Sequence, residues 1–200
     1  MGTDSAPSDV GVTGRSPLHW FSMMAPAPLA APSRVCVVGS LNMDRVVRAP
    51  RIAREGETVL GGAYRTFAGG KGANQAIAAS RLGANVTLIG SIGDDPHGIK
   101  LLDTPRAEAG KGETLELKCI IVRAGESTGL ALITVADGGE NAIVVSPGAN
   151  ALLTPADIES AADSIRACDV LLMQLEVPTP ARKHRVCSSS KPAWIPRVSR

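Results

Sequence analysis

Aromatic side chains are almost absent from this 200-residue sequence: Trp20, Phe21, Tyr64, Phe67 and Trp194 are the whole set. Proteins that read single-stranded nucleic acid stack bases on rings, so no nucleic-acid partner is expected. No unbroken apolar run approaches the roughly 18 residues a membrane helix needs, and no membrane partner is expected either. Cys36, Cys119, Cys168 and Cys187 form no CxxC pair and have no histidine at metal spacing. They read as reduced thiols, which points to the cytoplasm. His19, His97 and His184 cluster with neither acids nor cysteines and read as surface residues. Neither a metal site nor an activated nucleophile is visible.

An excess of one charge is lacking too. The net charge is +2, from 21 Lys or Arg against 19 Asp or Glu, but six of the bases and no acid fall in the last twenty residues. Residues 1–180 therefore hold 15 bases against 19 acids. The body is mildly acidic, and the basic tail carries no argument for a polyanionic partner.

What is present is α/β punctuation. Residues 1–33 are rich in Pro, Ser, Ala and Gly without apolar periodicity and read as a disordered leader. RVCVVGS from Arg34 is a buried strand, Glu57 to Phe67 a second extended stretch, and Gly72 to Leu82 a helix of small residues stopped by Gly83. NVTLIGSIG is another buried strand, followed by Asp94-Asp95-Pro96, a helix cap with proline in the first turn. Such alternation signals a three-layer α/β domain. Cys119–Val122, Thr128–Val135 and Asn141–Val145 read instead as consecutive antiparallel strands, a flap over the parallel body. A helix from Pro155 to Ala167, started by Thr154, precedes the strand DVLLMQLE. Residues 181–200 have no periodicity and read as a disordered basic tail.

Polar residues stand where strands end: Asn42 and Asp44 after the first, GGKGAN from Gly69 to Asn74 after the second, and Glu176 after the last. In open α/β sheets ligands bind at the carboxyl ends of strands. Gly69, Gly70 and Gly72 lack Cβ atoms, so backbone N–H groups at a helix start can approach a ligand, while Lys71 and Asn74 add donors. Asp44 is suited to accept from two neighbouring hydroxyls. Each feature has a plainer reading: a tight glycine turn, an Asx turn at Asn42 and Asp44, a helix cap at Glu176. The glycine run is no Walker A motif, because Gly72 stands where Ser or Thr is needed and Arg65 where a glycine is needed. It is no dinucleotide fingerprint either, because the third glycine would fall on Gln75.

GSLNMD at 39–44, GGKGANQAIAASRLGA at 69–84, SIGDDPHG at 91–98, STGLALITV at 127–135, NAIVVSPGAN at 141–150 and LLMQLEVP at 171–178 resemble the ribokinase-like, phosphofructokinase-B family of carbohydrate kinases. The resemblance covers most of residues 34–180. It implies a three-layer, doubly wound, mostly parallel sheet with an antiparallel β lid at about 45–67 and 119–146, the C-terminal half of the fold being missing. It further implies ATP-dependent phosphorylation of D-ribose at its 5-hydroxyl, with Mg²⁺ and a monovalent cation (K⁺), in a cytosolic homodimer paired through the lids. Asn42, Asp44, Gly69, Gly70, Lys71, Asn74 and Glu176 would contact the sugar.

Phosphoryl transfer also needs a cradle for the nucleotide phosphates and a base for the attacking hydroxyl. The family supplies them from a Gly-Ala-Gly-Asp turn and an Asn-x-x-Glu motif, and neither follows Glu176 here. A truncated form without activity is therefore expected. Non-catalytic sugar binding or lid pairing, and a kinase for another sugar such as fructose, are the alternatives. Between about Pro105 and Arg123 the sequence also departs from the family's pattern, and Pro105 is expected to break the helix there.

Overall fold

The computed structural model describes residues 31–108 and 114–183. The expected leader and tail lie almost wholly outside them. Every described strand and helix belongs to one unit opening at Pro32.

The body is a parallel sheet in the order β5-β4-β1-β8. Its strands are β1 (Arg34–Val38), β4 (Asn85–Gly93), β5 (Thr114–Arg123) and β8 (Val170–Met173). β1 shows why it is central. Val35 and Val37 enter one apolar cluster with Ala73 and Ala76, while Cys36 and Val38 enter another with Ile158 and Ile165. A strand whose two faces are both covered by helices must be apolar throughout. Each fully buried Val or Leu side chain contributes about 1.5–3 kcal/mol relative to exposure.

One cluster is closed by α1 (Lys71–Arg81), which buries Ala73, Ala76, Ile77 and Ser80 at helical spacing. It is closed also by Leu101 of α2 (Pro96–Glu108). On the other face lie α3 (Pro155–Ser160), α4 (Ala162–Ala167) and α5 (Thr179–Arg182). Thr154 starts α3 through a capping box with Asp157. The single helix expected over 155–167 is divided at Ala161, which leaves helical geometry with ψ 9°.

A second sheet, β3-β2-β6-β7, forms the lid from β2 (Asn42–Ala49), β3 (Arg65–Gly69), β6 (Gly129–Ala136) and β7 (Asn141–Ser146). β2 pairs antiparallel with β3 and parallel with β6, and β6 pairs antiparallel with β7, so the lid is mixed. Three expectations change here. Residues 119–123 belong to β5, which pairs parallel with β4 in the body, so the flap does not include them. Their run of Ile120, Ile121 and Val122 suits a sheet strand with helices at hand as well as it suits a hairpin. Only Arg65–Gly69 of the stretch expected from Glu57 is a strand. α2 passes through Pro105 to Glu108, because a proline near the end of a helix removes one backbone donor and stops short of unwinding the turns before it.

Candidate functional site

The β1 strand ends at Val38, and the chain turns through Gly39, Ser40 and Leu41 into β2. α1 starts against this turn. A Cβ on Gly72 would stand 2.6 Å from the Gly39 carbonyl carbon, and one on Gly70 would stand 2.6 Å from Ser40 O, so both positions require glycine. Gly70 also holds φ +92°, a left-handed conformation that other residues rarely adopt. The close approach lets Ala73 N–H donate to Ser40 O at 3.1 Å and Lys71 N–H donate to Ser40 Oγ at 3.1 Å.

Ser40 in turn donates from Oγ to Glu176 Oε2 at 2.6 Å, and Lys71 Nζ donates to Glu176 Oε1 at 2.6 Å. Residues from three strand ends are thereby tied together. Glu176 is not a helix cap: the N-cap of α5 is Pro178, without a side-chain cap bond. Burial alone would push the Glu176 carboxyl up. The hydrogen bonds from Lys71 and Ser40, with the Lys71 charge, outweigh burial and hold it below the ordinary glutamate range.

Asn42 and Asp44 do not form an Asx turn. They are the first and third residues of β2, on one face, with Asn42 beside Gly69 and Gly129 and Asp44 beside Phe67 and Ala131. The Asp44 carboxylate lies against Gly69, where a Cβ would be 2.6 Å from Cγ and 2.9 Å from Oδ1. Burial first, and the neighbouring Glu176 charge second, push the Asp44 carboxyl above its ordinary value. Two half-buried carboxylates of opposite shift thus face one glycine turn. Among the sequence candidates Asn42, Asp44, Gly69, Gly70, Lys71 and Glu176 converge, and Asn74 sits exposed in the first turn of α1. This set can accept hydroxyl protons at two carboxylates and donate from an ammonium and from amides.

Two residues of the site were not legible in the sequence. Ser40 is 1% exposed and joins the Glu176 carboxylate to the α1 start. Asn150, also 1% exposed, donates to Asn42 Oδ1 at 2.9 Å. A small polar residue after a strand and an Asn in a Pro-Gly-Ala-Asn turn are common loop features, so only the contacts reveal them.

Asp95 behaves as the expected cap of α2, whereas Asp94 is turned to the loop before β6 and does not cap the helix. Asp95 accepts from Gly98 N–H at 2.8 Å and Thr128 N–H at 2.9 Å, and Asp94 accepts from Gly125 N–H at 3.1 Å. His97 meets Arg45 at 3.2 Å. Among the described residues no three His, Cys, Asp or Glu side chains converge to hold a metal, so the described part does not fit a protein-only Mg²⁺ site. A separate cavity of about 390 Å³, lined by Arg34, Cys36, Glu116 and Cys168 among others, opens at the amino ends of β1, β4 and β5, the opposite end from Asp44 and Glu176. No helix among the described residues is long and apolar enough to cross a membrane.

Comparison with known proteins bears on the family and the fold. The profile described as pfkB family carbohydrate kinase matches residues 32–187. Ribokinase of Bacillus subtilis (strain 168) is 44% identical over 144 residues, covering 72% of this chain and 47% of that protein. The structure of ribokinase from Giardia lamblia superposes with a TM-score of 0.69 at 30% identity, covering 78% of this chain and 46% of that one. The Arabidopsis thaliana ribokinase complexed with ribose and ATP gives a TM-score of 0.58 at 35% identity, covering 74% and 46%. The chain spans about half the length of these relatives.

Proposed function

The chain belongs to the pfkB family of carbohydrate kinases, and from that premise we propose that its crevice is the sugar-binding wall of a D-ribose kinase. The observation that carries this reading is the convergence of Asp44, Lys71 and Glu176 on the Gly69–Gly70 turn at the carboxyl ends of the strands, with Lys71 Nζ 2.6 Å from Glu176 Oε1. A furanose offers neighbouring hydroxyls. Asp44 accepts two of them, Glu176 and Lys71 share another, and Asn42 and Asn74 complete the set with Gly69 and Gly70 as the floor. Carboxylates suit this task because hydrogen bonds to ionised acceptors are the strong ones. The Arabidopsis relative is complexed with ribose and ATP, which supports the choice of sugar and of phosphoryl donor.

In this reading ATP is the phosphoryl donor to the sugar's 5-hydroxyl, and Mg²⁺ and K⁺ would supply charge neutralisation from outside the described residues. The described residues contribute binding and orientation of the sugar. The 200-residue sequence has no Gly-Ala-Gly-Asp run after Glu176 to supply a base. The 200-residue polypeptide is therefore expected to bind ribose without turning it over. Titration calorimetry with D-ribose should give heat with the wild type and much less with Asp44→Ala. A coupled assay with ribose and ATP should stay at background. Absence of binding by folded wild-type protein refutes the sugar pocket, and clear turnover refutes the missing base.

A second feature favours pairing of two copies through the lid, the alternative role for a chain without turnover. Phe67, Ile143 and Val145 are 49%, 51% and 46% exposed, large apolar side chains on the lid face that also carries Asp44. A contiguous apolar sheet face of this kind marks an interface. The free thiols of Cys36, Cys119 and Cys168 support the reducing cytosol as the place where this happens.

A further inference from the structure

Asn150 lies in the 3-10 turn Gly148–Leu152 that follows β7, far along the chain from the residues that line the crevice. Its carboxamide is surrounded by backbone groups whose roles cannot be exchanged. Asn150 Oδ1 accepts from Leu41 N–H at 2.9 Å, and Nδ2 donates to Leu41 O at 2.9 Å and faces Pro147 O at 3.1 Å. A peptide N–H only donates and a carbonyl only accepts, so these contacts fix which Asn150 atom is nitrogen, where an amide is otherwise ambiguous.

The consequence passes to Asn42. The atom of Asn42 that meets Asn150 Nδ2 at 2.9 Å must be an acceptor, hence Oδ1. The Asn42 nitrogen is then the atom turned away from Asn150. Room for this pairing is made by Gly129 at the root of β6, where a Cβ would collide with both Asn150 Nδ2 and Asn42 Oδ1.

We infer that Asn150 is a positioning residue that locks the Asn42 carboxamide with its nitrogen toward the crevice, so that position 42 offers a bound sugar a donor and never an acceptor. The inference rests on the sugar-pocket reading for its functional consequence. The turn leaving β7 and the strand entering β2 thus share one buried amide pair. The crevice then combines carboxylate acceptors at Asp44 and Glu176 with a donor at position 42, which suits a polyol, whose hydroxyls both donate and accept.

The test is a double-mutant cycle on the 200-residue protein with D-ribose as the probe. Asn150→Ala is expected to weaken ribose binding about tenfold in the presence of Asn42, but by less than about twofold when Asn42 is already Ala, because contacting residues couple. Equal losses in both backgrounds overturn the inference. Side-chain amide resonances in ¹⁵N-labelled protein give a readout that needs no sugar. The Asn42 pair, assigned by its loss in Asn42→Ala, should move toward free-amide shifts in Asn150→Ala at unchanged overall dispersion. An unmoved Asn42 pair in that folded variant overturns the inference even if ribose does not bind, whereas failure of wild-type binding alone strikes only the sugar-pocket reading. If Asn150→Ala does not fold, Asn150→Ser retains one donor and is expected to leave Asn42 signals intermediate between the two states.

Discussion

Replacing Gly69 by Ala separates the function of the glycine turn from its architecture. The new Cβ would be 2.6 Å from Asp44 Cγ and 2.9 Å from Oδ1, and the nearest contacts are all atoms of that one side chain. Gly69 is not among the residues with positive φ, so alanine suits its backbone. The strain is relieved by swinging the Asp44 carboxylate away, at about 0.5–1.5 kcal/mol for an off-rotamer side chain. The stiffer unfolded chain offsets this by about 0.4–1 kcal/mol. Net stability should therefore change little, with a melting temperature within a few degrees of wild type. Binding should change much more. Losing the hydrogen bonds of one ionised acceptor costs about 1.5–3 kcal/mol. At about 1.4 kcal/mol per decade this weakens ribose binding roughly 10- to 150-fold. Thermal melting and calorimetry on the same sample decide the matter. Wild-type affinity in Gly69→Ala refutes the placement of Asp44 in the pocket. A large fall in melting temperature refutes the claim that only a side chain moves. Gly70→Ala provides the contrast: it meets backbone at 2.6 Å and a φ of +92°, so it should lose stability as well as binding.

Four further outcomes rest on contacts of the same kind. Ribose affinity should fall as pH is lowered, with a midpoint above the ordinary aspartate value of 3.8, because burial and Glu176 raise the Asp44 carboxyl and only its ionised form accepts two hydroxyls; Asp44→Asn should flatten that limb in a calorimetric pH series. Glu176 works in the opposite sense for folding: its lowered value means that the stabilisation from Lys71 and Ser40 is present above the unfolded glutamate value and is lost as pH falls through the folded one, so Lys71→Met should reduce the acid resistance seen by circular dichroism. Ile143→Lys places a charge on the exposed apolar lid face and should shift sedimentation toward monomer at unchanged secondary structure, whereas an unchanged mass refutes lid pairing. Ile165→Ala, which empties a fully buried position between α4 and the sheet, should destabilise by about 2–5 kcal/mol in denaturant titration.

Much of the body is legible in the sequence because its signals are local. The β-branched runs at Arg34–Val38 and Asn85–Gly93, the small residues of α1 and the Thr154 cap each depend on neighbours within one turn or one strand. β2 is not legible because Asn42, Asp44, Arg45 and Arg48 interrupt any apolar alternation. β5 reads as a lid strand for a related reason. Its residues fit either sheet, and the partner that decides, β4, is a non-local neighbour that only the folded chain brings alongside.

The site divides in the same way. The Gly69–Asn74 run determines the close turn by itself, since glycines at 70 and 72 are what a helix start packed on another strand's end requires, whatever surrounds it. Only the tertiary structure could decide what stands across from that turn. Ser40 meets Glu176 across 136 positions of sequence and Asn42 meets Asn150 across 108. Both contacts are single hydrogen bonds between ordinary polar residues. Such residues become site components only when burial removes the water that would otherwise satisfy them, and burial is a property of the folded chain.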